Sequence, residues 1–263
     1  MASVDIAPGI SSRIAVRDLD MTYGQRVVQR GLNFVVEAGD VFVIMGPSGS
    51  GKSTLLRHMV GLVQPARGNV FYDGTGFWTA DEAERRRILR RVGVLYQEGA
   101  LWSSMTLAEN VALPIEEFTE LPPATIRDLA SFKLALVGLA GFEGFYPSQI
   151  SGGMRKRAGL ARAIALDPDI LFFDEPSAGL DPINSRRLDD LILALRDSLG
   201  ATVVVVTHDV ASILTIGDNS IFLDAEASTI TARGHPKELL AHSPDPKVRE
   251  FLTRGLPQEA AQR

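Results

Sequence analysis

Gly46-Pro47-Ser48-Gly49-Ser50-Gly51-Lys52-Ser53-Thr54 decides how the rest of the chain reads. It follows an apolar run of strand character, Val41-Phe42-Val43-Ile44-Met45. It opens a run of helix character, Thr54-Leu55-Leu56-Arg57-His58-Met59-Val60. The pattern G-x-x-x-x-G-K-S between strand and helix is that of a phosphate-binding P-loop. Glycines let successive backbone N–H groups curl round an anion with no Cβ in the way. The positive end of the following helix points at the same place. Lys52 then reaches the outer phosphates, and the Ser53 hydroxyl is the expected Mg²⁺ ligand. A Gly/Ser-rich turn before an ordinary helix is the plainer alternative, but it leaves the match at every motif position and both flanks to chance.

Composition narrows the setting. The 263 residues suffice for one large core, or a core plus a lobe. A net charge of −5 argues against a general nucleic-acid surface. Cysteine is absent, which excludes disulfides and cysteine metal sites. Met1 to Ser12 has no basic segment followed by an apolar one, so no signal peptide is expected. The longest apolar runs, such as Val203-Val204-Val205-Val206, are far too short for a membrane span. The expected location is cytoplasmic, with any membrane role exerted through partners.

Upstream of the loop, Ile14-Ala15-Val16-Arg17 and Leu32-Asn33-Phe34-Val35-Val36 read as short strands. Tyr23 lies between them, where an aromatic either stacks on a base or packs in a sheet. Downstream, Asp81 to Arg91 reads as a helix with five arginines, an anion patch or, more plainly, a solvated face. Val92-Gly93-Val94-Leu95-Tyr96 is a buried-type strand ending at Gln97. In an open α/β sheet the C-terminal strand ends face the ligand crevice. From about residue 98 helices interrupt the βαβ rhythm, as an inserted lobe would. Thr106 and Glu109 form a capping box, and Pro114 is expected to end that helix. Ser151-Gly152-Gly153 opens the next helix and offers bare N–H groups to an anion.

Ile170-Leu171-Phe172-Phe173 is closed by Asp174 and Glu175. Asp174 fits a Mg²⁺ contact, and Glu175 fits a base that orients water. Capping of the next helix is the alternative for the pair. His208 ends another apolar strand, Thr202 to Val206, on the same sheet edge.

Taken together, Tyr23, Gly46–Thr54, Gln97, Ser151–Gly153, Asp174-Glu175, Ser177–Asp181 and His208 resemble the ATPase subunits of ABC transporters, over residues 13–235. The resemblance implies an α/β P-loop NTPase (ABC ATPase) core with an N-terminal antiparallel β subdomain and an inserted α-helical subdomain. The ATPase domain would span 13–240, its helical part about 98–165, with an extension over 241–263. ATP and Mg²⁺ would be the cofactors. Tyr23 would stack on adenine. Gly46, Pro47, Ser48, Gly49, Ser50, Gly51, Lys52, Ser53 and Thr54 would hold phosphate. Ser53, Gln97 and Asp174 would serve the metal. Glu175, His208, Lys52 and Gln97 would form the catalytic set. Ser151, Gly152, Gly153 and Asp181 would reach the nucleotide from a second copy, because the chain carries one copy of each half-site. Such a homodimer would close on ATP.

Met154 stands where the family's signature loop usually has Gln. Ser-Gly-Gly-Met is similar to ATPase subunits of the Mla/Mce phospholipid-transport systems of Gram-negative bacteria. So are Gln97–Leu101, Ala161–Pro168 and Ser243–Leu252. That resemblance implies a location on the cytoplasmic face of the inner membrane. The implied partners are a permease, an MCE-domain lipid-binding subunit and a small STAS-type regulator, with no nucleic acid. An ABC ATPase for another substrate is the near alternative. A soluble clamp on DNA or ribosomes is the distant one, and the chain lacks the coiled coil or second ATPase domain that it would need. Val248, Phe251 and Leu252 form an apolar face that serves either a neighbouring subunit or the chain's own domain.

Overall fold

The computed structural model describes residues 12–24 and 26–254. Two sheets organise them. The first is antiparallel, in the order β2-β1-β4-β5, from β1 (Ser12–Tyr23), β2 (Arg26–Glu37), β4 (Arg67–Tyr72) and β5 (Thr75–Gly76). The short strands expected at Ile14–Arg17 and Leu32–Val36 are the regular parts of two 12-residue strands. Asp18 sits at φ 48, and the β1–β2 register shifts between Val16 and Leu19. That bulge breaks the period-2 alternation by which a strand is read. Arg67-Gly68-Asn69 forms the start of β4. Gly68 is at φ 83 there, and a Cβ would meet the carbonyl oxygens of Arg17 and Asp18 at 2.4 Å.

The second sheet runs β10-β9-β3-β8-β7-β6. Its strands are β3 (Val41–Met45), β6 (Val92–Leu95), β7 (Ile170–Asp174), β8 (Thr202–Val206), β9 (Asn219–Asp224) and β10 (Thr229–Gly234). All neighbours are parallel except the β9–β10 hairpin. Every residue of β3, β7 and β8 is buried, which is why these strands read as unbroken apolar runs. Their C-terminal ends share one edge, where Ile44 pairs with Val206, Asp174 with Val206 and Leu95 with Phe173.

Helix α1 (Lys52–Met59) follows β3, and α2 (Glu82–Arg90) precedes β6. The arginines of α2 and its C-cap are mostly paired within the chain. Arg85 donates to the Phe77 and Trp78 carbonyls, Arg86 to Glu117, Arg87 to Glu84, and Arg91 to Asp73 and Asp169. The solvated structural face is the one found.

Helices α3 (Leu107–Phe118), α4 (Pro123–Leu136) and α5 (Gly152–Ala163) form the lobe. The Thr106/Glu109 capping box starts α3. The helix does not end at Pro114 but runs through it to Phe118. Burial of Ile115 to 1% exposure and a cap on its carbonyl by Thr119 hold the last turn against the missing N–H. Helix α4 stops at Leu136. Leu107, Val111, Leu134 and Leu160 share one apolar core with Phe173 and Val205 of the sheet.

The chain closes with α6 (Pro182–Leu199), α7 (Val210–Ile216), α8 (Pro236–His242) and α9 (Pro246–Thr253). Val248 and Leu252 are fully buried in a cluster with Val43, Met45, Ile213 and Phe222. Phe251 packs edge-on to Phe222 at 5.4 Å. This apolar face is therefore covered by the chain's own domain. Residues 255–263, the rest of the extension, lie outside the described residues. Among the described residues no helix is long and apolar enough to cross a membrane.

Candidate active site

The loop between β3 and α1 is shaped by glycine. Gly46 is at φ 147, and a Cβ there would meet the Leu223 carbonyl oxygen at 2.5 Å. Gly49 and Gly51 also have positive φ, so the loop's N–H groups turn toward one concavity. Lys52 is 7% exposed, and its ammonium donates to the Gly46 and Pro47 carbonyls at 2.9 and 3.0 Å. Burial pushes its pKa down, and Glu175 and Asp174 pull it back. The buried Ser50 hydroxyl has no partner among the described residues. Pro47, Ser48 and Gly49 form the exposed lip of the loop.

The Ser53 hydroxyl donates to Asp174 Oδ1 at 2.8 Å. Burial raises the Asp174 pKa, and the Ser53 bond opposes that. Hydroxyl and carboxylate together make an oxygen pair suited to a hard cation. Among the described residues no group of three or more His, Cys, Asp or Glu could hold a metal unaided. A cation here needs further oxygens, such as those of phosphate. The residues therefore fit Mg²⁺ brought with a nucleotide.

Glu175 is in the left-handed region at φ 49, pinned by its N–H to the Val206 carbonyl at 2.8 Å. Such backbone is costly for a non-glycine residue and lies here at the strand end. Its Oε1 is 2.8 Å from His208 Nδ1. A carboxylate only accepts, so Nδ1 carries the proton and Nε2 is free for another partner. Neither acid caps a helix: Asp174 bonds Ser53, and Glu175 bonds His208.

Gln97 is exposed on a tight turn after β6, bridged by the Gly99 N–H to the Tyr96 carbonyl. Tyr23 is the last residue of β1, and its side chain lies outside the described residues. Ser151 caps α5 by accepting the Met154 N–H at 3.3 Å. Asp181 caps α6, accepting the N–H groups of Ile183 and Asn184, which hold its carboxyl below the usual range. Ser151, Gly152, Gly153 and Asp181 line a separate cleft of about 570 Å³ that includes no residue of the loop 46–54.

Two supporting residues escape a sequence reading. Gln29 is fully buried, and its Nε2 donates to the carbonyls of Ser50 and Asp224, tying the first sheet to the phosphate loop. Lys156, 7% exposed, donates to the Pro176 and Ala178 carbonyls just after Glu175. A lone Gln in a strand and a Lys in a basic helix start carry no local signal; only the tertiary fold gives them partners.

Residues 29–178, which hold the loop, Gln97, Ser151–Gly153, Asp174 and Glu175, match the family model for ABC transporter proteins. The chain belongs to the ABC transporter family. Among relatives in that family, the intermembrane phospholipid transport system ATP-binding protein MlaF of Escherichia coli is 41% identical, covering 92% of this chain and 89% of its own. The Haemophilus influenzae MlaF is 42% identical over 91% of this chain and 89% of its own. A probable ribonucleotide transport ATP-binding protein, mkl, of Mycobacterium tuberculosis is also 42% identical over 91% of this chain. The chain spans 66% of the length of that mycobacterial relative. The solved dimer of the ATP-binding cassette MJ0796, in a post-hydrolysis state with ADP and Pi, superposes with a TM-score of 0.77 at 30% identity. It covers 84% of this chain and 98% of that one. The ABC ATPase fold expected from the motifs is the fold observed.

Proposed function

We propose that this chain is the ATP-hydrolysing subunit of an ABC transporter that moves phospholipid across a Gram-negative envelope. The observation that carries the catalytic part is the convergence of Lys52, Ser53–Asp174 and Glu175–His208 on one glycine-shaped loop. The phospholipid part rests on likeness to the MlaF proteins along most of both chains. The mycobacterial relative's name favours a second reading, the same ATPase serving another solute.

In this reading two copies pair head to tail. Each ATP lies between the loop of one subunit and the Ser151–Gly153 helix start of the other, as the separate positions of the two half-sites allow. Lys52 leaves the Gly46 and Pro47 carbonyls for the outer phosphates, and the loop amides share their charge. Ser53 and Asp174 would hold Mg²⁺, which would supply neutralisation of phosphate charge. Glu175 accepts a proton from the attacking water, and His208, through its free Nε2, steadies the γ-phosphate. Gln97 relates the metal to the membrane partner, Tyr23 stacks on adenine, and Asp181 lies at the junction of the copies. Met154 puts an apolar chain where the family usually has an amide, and Ser151 still caps α5 beside it. A permease, an MCE-domain subunit and a small STAS-type regulator complete the assembly on the cytoplasmic face of the inner membrane. ATP does work because it binds the closed dimer better than the open one, and the permease is tied to that difference.

The test is a detergent purification of the tagged chain from its native cells, with mass spectrometry of bound proteins and lipids. Copurification of a permease, an MCE-domain subunit and phospholipid is expected. A permease with a soluble solute-binding protein and no lipid would overturn the substrate; no membrane partner at all would overturn the transporter.

A further inference from the structure

Lys156 is the one buried lysine of α5 that reaches out of its own lobe. It lies on the first turns of α5, five residues after the Ser151 cap. Its aliphatic stem crosses the junction between the helical lobe and the sheet. Its ammonium donates to the Pro176 carbonyl at 2.8 Å and to the Ala178 carbonyl. These carbonyls belong to the turn that begins at Glu175, closed by the Ala178 N–H to the Glu175 carbonyl at 3.2 Å. The next turn, Leu180 N–H to the Ser177 carbonyl at 3.0 Å, carries the chain to Asp181. Gly153 and Leu180 are neighbours as well: a Cβ on Gly153 would lie 3.6 Å from the Leu180 side chain. Burial lowers the Lys156 pKa, while Glu175 and Glu98 raise it, which places its charge within reach of Glu175's. Lys156 is 7% exposed as a residue, and without these two carbonyls its charge would lose its hydrogen-bond partners.

We propose that Lys156 is a positioning residue that couples the two half-sites within one subunit. A shift of α5 imposed at Ser151–Gly153 by the other copy's nucleotide is carried through the ammonium to the Glu175–Ala178 turn. The strained φ of Glu175 makes that turn responsive, because its side chain aims correctly only while the turn is held. Lys156 touches neither nucleotide nor water in this scheme. It acts on the orientation of Glu175, so ATP bound at one site sets the geometry of the base at the other. The inference rests on the ATPase reading above and deepens it.

The full-length chain in complex with its membrane partner serves for the test. Lys156→Met removes the donors and keeps the stem; Lys156→Arg keeps donors. The expected result is a fall in kcat of roughly 10- to 100-fold for Lys156→Met, the scale of a misplaced catalytic group, with the KM for ATP little changed. Lys156→Arg recovers most of the rate. Unchanged kcat for Lys156→Met, or a rise in KM alone, would overturn the proposal. A second readout needs no hydrolysis. On a Glu175→Gln background, hydrogen exchange is followed with and without Mg-ATP. With Lys156 present, ATP slows exchange at both 151–157 and 175–180. With Lys156→Met, only 151–157 slows; if 175–180 slows equally, the coupling does not run through this lysine. Should Lys156→Met not fold, Lys156→Gln, which keeps a donor but no charge, is read in the same assay, and equal protection of 175–180 without rate loss sinks the idea. Failure of the ATPase reading looks different: the unaltered complex then hydrolyses no ATP, whatever the exchange pattern.

Discussion

In the proposed mechanism turnover depends on Glu175, and its environment says how. It is held in left-handed backbone, with its carboxylate 2.8 Å from His208 Nδ1. Glu175→Gln keeps the size and a hydrogen-bond acceptor but loses the base. The expected outcome is ATP binding retained and hydrolysis slowed by roughly 10²–10⁴-fold, read by fluorescent-nucleotide titration beside a phosphate-release assay. A rate near that of the parent would remove Glu175 as the base. At this scale the sequence was most legible, because phosphate loops and strand-end acids are local patterns with fixed spacing. Lys52, Ser53, Asp174, Glu175 and His208 come together as such patterns require. Lys156 and Gln29 were not legible, since their partners lie 20 or more residues away in each case.

Among elements, the packing of α6 on α7 holds a buried acid. Asp189 is 5% exposed and accepts the Ser212 hydroxyl at 2.8 Å, and its Oδ1 has no partner among the described residues. Burial, with Asp209 and Asp190 adding to it, pushes its pKa up to about 6, and Ser212 opposes this. The folded state thus holds the proton to a higher pH than the unfolded chain, whose aspartate titrates near about 3.9. Stability from this group is full below about pH 4 and is lost as pH rises through about 6. Asp189→Asn keeps an acceptor for Ser212 and removes the charge. Its melting temperature should exceed the parent's at pH 7, and the gap should close toward pH 4; a gap independent of pH would refute the assignment. Element boundaries were the less legible part of the chain. Pro114 reads as a stop, but tertiary burial of Ile115 carries α3 past it. The bulge at Asp18 hides the length of β1, because one extra residue resets the alternation.

At the scale of the whole molecule, the two sheets are joined at the loop 46–54. Gln29 bonds both Ser50 and Asp224, and the Arg30 N–H reaches the Ser228 carbonyl at 2.9 Å. The antiparallel sheet therefore shares hydrogen bonds with the phosphate loop and with the β9–β10 hairpin. Mg-ATP at a hundred times its Kd should stabilise the folded chain by about 2.7 kcal/mol, and as one transition spanning both sheets. Calorimetry of the Glu175→Gln protein checks this; two transitions, of which only one moves with ATP, would mean that the sheets melt separately. The fold class was legible at this scale from the alternation of apolar strands and helices. The tie between the sheets was not, because nothing in a strand's own pattern distinguishes a glutamine that faces a loop backbone from one that faces solvent.

The Gln29 bridge also bears on how variation can accumulate. An amide that donates to two backbone carbonyls cannot be exchanged for an acidic, an apolar or a smaller side chain without removing its bonds to both. The rim of the antiparallel sheet is free to drift, since it meets water, whereas the position of Gln29 is bound to the fate of a loop 21 residues away. Any substitution tolerated there should arrive with a second change near Ser50 or Asp224, so that the history of this strand and the history of the loop are written as one.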